Sequence, residues 1–136
     1  MKILVTYAFD EEIIPFTIKD ANITFLKTGM GKVFSAFNLT KALCNEKYDL
    51  VLNVGTAGTL NHNVGDIFVC HRFIDRDMER ITLPKVCSDI SFPEKVGIDL
   101  IDNYNKIGVC NTGDSFVTEV GHFNGNVIDM EAFAQA

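Results

Sequence analysis

Six short runs in this 136-residue chain are apolar at nearly every position and rich in β-branched side chains: KILVTYA, ITFLKTG, DLVLNVGTAG, DIFVCHRFI, KIGVCNTGD and NVIDME. A strand with one wet face alternates apolar and polar residues. Continuous hydrophobicity instead marks strands buried on both faces, the state of a parallel or mixed sheet covered by helices. Helical signals fall between the runs. Lys32 to Cys44 brings Val33, Ala36, Phe37, Leu39 and Leu43 to a three-to-four-residue spacing, which predicts an amphipathic helix entered from a glycine turn. Asp10 to Phe16 reads as a shorter helix that Pro15 ends or bends. Arg72 to Pro93 has no clean period and holds Pro84 and Pro93; it reads as a strand end, a crossing loop and an edge strand. Pro93 then opens a helix over 94–104, where its missing N–H costs nothing. Strand and helix in alternation predict a three-layer α/β domain around a central mixed, mostly parallel sheet. In such sheets ligands collect beyond the carboxyl ends of the strands.

The length fits one domain, residues 1–136. A net charge of −6 argues against nucleic acid or an anionic membrane as the main partner, since both reward Lys/Arg clusters. A small neutral or cationic ligand is easier to accommodate. The amino terminus, MKILVTYAFDEE, has a lysine before an apolar run, but Thr6 interrupts that run and three acids close it without a cleavage site, so it reads as a first strand. No stretch reaches the roughly eighteen apolar residues that span a bilayer. Cys44, Cys70, Cys87 and Cys110 lie far apart and form no C-x-x-C pair, which predicts reduced, buried thiols and a cytoplasmic protein. No metal site is expected from these cysteines with His62, His71 or His122, and no cofactor is implied.

Three strand ends carry glycine: LKTGMGKVFSA, VLNVGTAGTL and GVCNTGDSFV. Glycine there permits positive φ and lets a ligand approach backbone N–H donors. GMGKV lacks the spacing of a P-loop, and Phe34 fills the third glycine position of a dinucleotide fingerprint, so alone it reads as a β-to-α turn. NVGTAG offers small side chains, a hydroxyl and open N–H groups against which a flat ligand can lie. Asp10, Glu11 and Glu12 suit a helix start as dipole partners, yet a carboxylate there also faces the crevice. Phe116 reads either as core or as a stacking platform worth about 1–3 kcal/mol under a base. Glu131, at the mouth of a buried strand, is costly to desolvate unless sugar hydroxyls pair with it. A helix starting there would also welcome an acid.

Taken in order, GMGKV, NVGTAG, VGDIFV, TGDSFV and DMEAFA behind MKILVTYAFDEE resemble the purine nucleoside phosphorylase-like family, most closely its 5′-methylthioadenosine/S-adenosylhomocysteine nucleosidases. The likeness runs from Met1 to Ala136 and is weakest between Phe73 and Lys106. It implies a phosphorylase/hydrolase-like fold that hydrolyses the N-glycosidic bond of an adenine nucleoside bearing a 5′-thio group. Glu12 matches the carboxylate that activates the attacking water. Thr56 stands near the ribose and water, and Ala57 and Gly58 supply backbone beside the purine. Phe116 matches the residue stacked on the base, Val117 the one whose main chain reads its edge, and Met130 and Glu131 the pair under the ribose.

The same resemblance implies a homodimer and a purine nucleoside as partner. It also exposes a departure. In the family a strand after the Met-Glu helix ends in Ser-Asp, and its aspartate protonates N7; no such strand follows Glu131 here, so a domain shortened at its carboxyl end is expected. General-acid help contributes on the order of 10²–10⁴ in rate. The alternatives are futalosine hydrolase, a purine nucleoside phosphorylase, or a catalytically impaired nucleoside-binding fragment. Water is preferred to phosphate because no arginine stands at the glycine turns: Arg72, Arg76 and Arg80 lie in the irregular middle.

Overall fold

The computed structural model describes residues 1–81, 83–93, 106–118 and 123–136. The helix expected over 94–104, and His122, lie outside the described residues. Every apolar run noted above forms a strand. β1 (Lys2–Tyr7) is the centre of a three-stranded parallel sheet, between β2 (Asn22–Lys27) and β3 (Leu50–Asn53). Covered on both faces and paired along both edges, Ile3, Leu4 and Val5 have no solvent exposure. Burying each such side chain contributes about 2 kcal/mol, so the middle of β1 anchors this sheet.

The second sheet is mixed. β4 (Phe68–Asp75) pairs antiparallel with the short edge strand β5 (Asp89–Ser91) and parallel with β6 (Lys106–Thr112), which pairs parallel with β7 (Val127–Asp129). The expected single sheet is therefore two. Between them runs one antiparallel bridge, Gly58 with Ile128, whose N–H groups donate to each other's carbonyls at 2.8 Å. This bridge lays the loop after β3 onto the β7 backbone; a Cβ at Gly58 would make only an ordinary contact, 3.9 Å from the Ile128 carbonyl.

Helix α1 (Lys32–Asn45) forms where the spacing predicts it, but of the predicted apolar stripe only Leu39 is fully buried. Ser35 and Leu39 are buried, while Val33, Phe34, Phe37 and Leu43 are exposed. Small residues at 35, 36 and 42 let the helix lie close to its neighbours, so the bulkier apolar stripe is turned outward. The helix expected over Asp10 to Phe16 is only a single 3-10 turn, Asp10–Glu12. The turn ends at Ile13, whose backbone is extended two residues before Pro15.

Two more short helices lie among the described residues: α2 (Arg76–Glu79) and α3 (Ala132–Gln135). Asp75 caps α2 by accepting from the Asp77 and Met78 N–H groups. Among the described residues no helix is long and apolar enough to cross a membrane. All four cysteines are free thiols, but only Cys110 is fully buried; Cys44 and Cys87 are exposed, contrary to the sequence expectation.

Arg76 is the least expected buried group. Its guanidinium donates to the Asn111 carbonyl and side-chain oxygen, both at 3.0 Å, and to the Ser115 carbonyl at 2.9 Å. Sequence placed it away from the glycine turns; the structure sets it beneath Gly113, where a Cβ would stand 2.6 Å from Nη2. Gly113 is glycine for room. Gly113→Ala is expected to destabilise the protein by about 1–3 kcal/mol through overpacking, read as a lowered urea midpoint with an unchanged slope.

Candidate functional site

The carboxyl ends of β1, β3, β6 and β7 point the same way, and the residues following them form a crevice. From β1 comes Glu12. Its Oε2 accepts from the Ala8 and Phe9 N–H groups, each at 3.1 Å, and its Oε1 from the Thr56 N–H at 3.0 Å and hydroxyl at 2.6 Å. Gly55 lies against the carboxylate, where an added Cβ would stand 3.5 Å from it, at ordinary contact distance. The β1 and β3 ends are thus stapled by one side chain. Partial burial pushes the Glu12 carboxyl up, but the bonds from Thr56, Phe9 and Ala8 outweigh it and hold the group below its ordinary value.

From β7 come Asp129, Met130 and Glu131, and the two acids take different tasks. Asp129 is the helix cap: its Oδ2 accepts from the Glu131 N–H at 3.2 Å and the Ala132 N–H at 2.6 Å, and its Oδ1 from the Thr112 hydroxyl at 2.5 Å. Glu131 is free to turn away from α3. Its Oε1 accepts from the Gly31 N–H at 2.8 Å, at the start of α1. The adjoining Lys32 N–H donates to Asp114 Oδ1 at 2.9 Å. Two acids from distant strand ends therefore occupy the helix N-terminus, a natural anion site. Gly29 and Gly31, at φ 81° and 90°, give the turn the left-handed conformation that aims these donors.

Burial pushes the Glu131 carboxyl up; the Gly31 bond opposes this, and the charges of Asp129 and Glu12 add to it, leaving the group above its ordinary value. Glu12 and Glu131 are near enough to interact and are shifted in opposite directions. The divergence follows from their surroundings: several donors around Glu12, and burial with acidic neighbours around Glu131.

The remaining sequence candidates are placed as follows. Thr56 is bonded to Glu12, and Gly58 forms the bridge to Ile128. Ala57 is exposed between them. Phe116 and Val117 lie on the exposed loop after Gly113, with the Phe116 side chain 76 % exposed, so it is not core. Met130 is half-buried beside Glu131. The structure brings Glu12, Thr56 and Gly55 into direct contact, and Glu131 with Gly31; Phe116 touches neither carboxylate. Sequence reading missed Gly31 as the donor to Glu131, although the paired glycines before a helix were the available signal. A separate concavity of about 480 Å³ shares no lining residue with this site. Its charged groups already pair, Arg72 with Asp89 and Glu79 with Asn124.

A chain with this sheet arrangement and these strand-end acids belongs to the phosphorylase superfamily, whose family model matches residues 9–136. Among curated relatives, a 5′-methylthioadenosine/S-adenosylhomocysteine nucleosidase of Staphylococcus aureus is 29% identical over 88% of this chain. The chain spans 62% of that relative's length. The fold is that of solved nucleosidases: the Helicobacter pylori enzyme with butyl-thio-DADMe-Immucillin-A has a TM-score of 0.76 at 21% identity, covering 98% of this chain and 76% of its own. A Neisseria meningitidis nucleosidase with methylthio-immucillin-A gives 0.78 at 19% identity, covering 98% and 77%. A futalosine hydrolase mutant of Helicobacter pylori gives 0.76 at 20%, covering 98% and 76%.

The opposed shifts fix the sign of two stability effects. Glu12 contributes stability that is present above its unfolded value of about 4.3 and is lost as pH falls through its lower folded value. Glu131, raised on folding, costs stability once pH rises through its folded value. Glu12→Gln is therefore expected to lower the Tm at pH 7, with the deficit shrinking below about pH 4. Glu131→Gln, whose amide oxygen still accepts from Gly31, is expected to raise the Tm at pH 8 relative to the parent and to lose that advantage in acid. Calorimetry across the pH range reads both; shifts of the same sign would contradict the assignment.

Proposed function

We propose that this chain carries the water- and ribose-binding elements of a nucleosidase acting on an adenine nucleoside with a 5′-thio substituent, 5′-methylthioadenosine or S-adenosylhomocysteine. The observation that carries the reading is the pair Glu12 and Glu131: two carboxylates from different sheets, held in one crevice by backbone donors and shifted in opposite directions. The names of the relatives support the substrate class.

In this reading Glu12, ionised at neutral pH, takes a proton from a water that Thr56 helps to orient. The water oxygen bonds to C1′ as the C1′–N9 bond breaks, and its electron pair leaves with adenine. Positive charge developing on the sugar is stabilised by the nearby carboxylates. Glu131 accepts from ribose hydroxyls above Met130, which also relieves the cost of its burial. Adenine lies beside Ala57 and Gly58, stacks on the exposed Phe116 ring and meets the main chain of Val117. The proton for N7 comes from a group outside this set. Arg76, the arginine nearest a glycine turn, has its guanidinium engaged by Asn111 and Ser115, which favours water over phosphate as the acceptor.

Adenine release from 5′-methylthioadenosine, measured with and without phosphate, tests the reading. Release independent of phosphate is expected, and Glu12→Gln is expected to reduce it at least about 10²-fold with the fold intact. Dependence on phosphate would favour a phosphorylase. Measurable binding without release would favour a nucleoside-binding chain. Faster release from futalosine would reassign the substrate.

A homodimer is part of the proposal. Val33, Phe34 and Phe37 present an apolar face on α1, exposed by 77 %, 64 % and 65 %, and self-association would cover it. Sedimentation is expected to give twice the chain mass, and Phe37→Glu the single-chain mass with an unchanged circular dichroism spectrum.

A further inference from the structure

The GMGKV turn holds a lysine for which the proposed reaction has no use. Lys32 is the first residue of α1, and its side chain is mostly buried. Its ammonium donates to both oxygens of Asp75, at 2.9 and 3.1 Å, and to Asp77 Oδ2 at 2.8 Å, with Asp114 Oδ2 at 3.7 Å. Its own N–H holds Asp114 Oδ1. One cation thus joins the start of α1 to the β4–α2 junction and to the loop after β6.

The preceding peptide carries the Gly31 N–H that meets Glu131. Gly31 and Lys32 are consecutive, so fixing the lysine at both its backbone and its ammonium fixes the direction of that N–H. The Gly31 carbonyl accepts the Ser35 N–H at 3.1 Å as the first bond of α1, and its positive φ is open to glycine without steric cost, so the orientation of the peptide before it depends on how the helix start is held. The loop bearing Phe116 shares this cluster through the Asp114 N–H on Asp77 but keeps one tie outside it, Arg76 on the Ser115 carbonyl. Loss of Lys32 would leave Asp75, Asp77 and Asp114 as mutually repelling charges with no cation between them, and the strain falls first on the turn.

We propose that Lys32 is a positioning residue: by clamping the start of α1 to Asp75, Asp77 and Asp114, it holds the Gly31 N–H on Glu131 and thereby sets the ribose carboxylate. The consequence for ligand rests on the nucleosidase reading; the consequence for Gly31 does not. Hydrogen exchange at the Gly31 amide is the direct measure. Lys32→Met is expected to speed it about tenfold while the β1 amides stay unchanged, and Lys32→Arg to restore it. In the same variants the dissociation constant for 5′-methylthioadenosine is expected to rise about tenfold for Lys32→Met, with that for free adenine kept within about twofold. A merely structural lysine would weaken nucleoside and base alike. Unchanged Gly31 exchange in Lys32→Met overturns the proposal, as does an equal loss of both ligands. Should Lys32→Met not fold, Asp77→Asn loosens the same cluster and is read at the same amide with the same criterion. If the parent protein binds no nucleoside, the functional reading falls, and Gly31 exchange still decides the role of Lys32.

Discussion

The two reciprocal hydrogen bonds between Gly58 and Ile128 set how the halves of this molecule meet. Glu12 and Thr56 belong to the sheet built on β1, Glu131 to the sheet that ends in β7, and this bridge is where the strand-end loops of the two come together. Gly58 is two residues from Thr56, and Ile128 three from Glu131. A small error in that register would therefore carry the carboxylates apart while leaving both hydrophobic cores intact. A second tie is polar: the Thr6 hydroxyl in the buried centre of β1 donates to Gln135 on α3 at 2.6 Å. A hydroxyl in an otherwise apolar strand is costly unless paired, so Thr6 and Gln135 favour one docking of the sheets over others.

The two glutamates show how backbone alone differentiates identical side chains. Glu12 sits in a ring of N–H groups and one hydroxyl, all of which favour its charged form. Glu131 has a single strong donor and two acids for neighbours, and burial prevails. The difference arises from loop geometry: β1 and β3 run parallel and adjacent, so their carboxyl-end N–H groups converge on whatever lies between them. β7 instead faces the start of α1 across the crevice, and Glu131 receives the Gly31 N–H at 2.8 Å and a longer bond from the Met130 N–H at 3.3 Å.

The strands and their polarity were legible in the sequence because a short, continuous, β-branched apolar run bounded by turn residues is stable chiefly as a strand covered on both faces. The resemblance set Glu12 and Thr56 near the same water, but the direct bond between them appears only in the structure. What escaped shares a physical cause. Which face of α1 is buried depends on the size of the space facing it, and small Ser35 outcompetes large Phe37 there. That Arg76 is buried depends on three oxygens contributed by residues 35 and 39 positions downstream. The split of labour between Asp129 and Glu131 was equally hidden, since both are acids at a helix start. Only the Thr112 hydroxyl and the distant Gly31 N–H tell them apart. Local pattern carries periodicity and turn chemistry; it does not carry the identity of a non-local partner.

The distribution of charge bears on what the crevice can hold. Glu12, Asp129 and Glu131 crowd its floor, while the nearest cations are spent: Arg76 on carbonyls beneath Gly113, Lys32 on three aspartates. A phosphate entering here would find the α1 N-terminus already taken by Glu131 and Asp114 and would meet uncompensated acids. A neutral nucleoside meets no such barrier, and in the proposed reaction the positive charge growing on the sugar as its glycosidic bond lengthens would fall beside Glu131, a carboxylate whose burial is costly in the free protein. The unfavourable field of the crevice thus becomes favourable as the bond breaks, and an interaction that strengthens toward the transition state is the kind that accelerates a reaction.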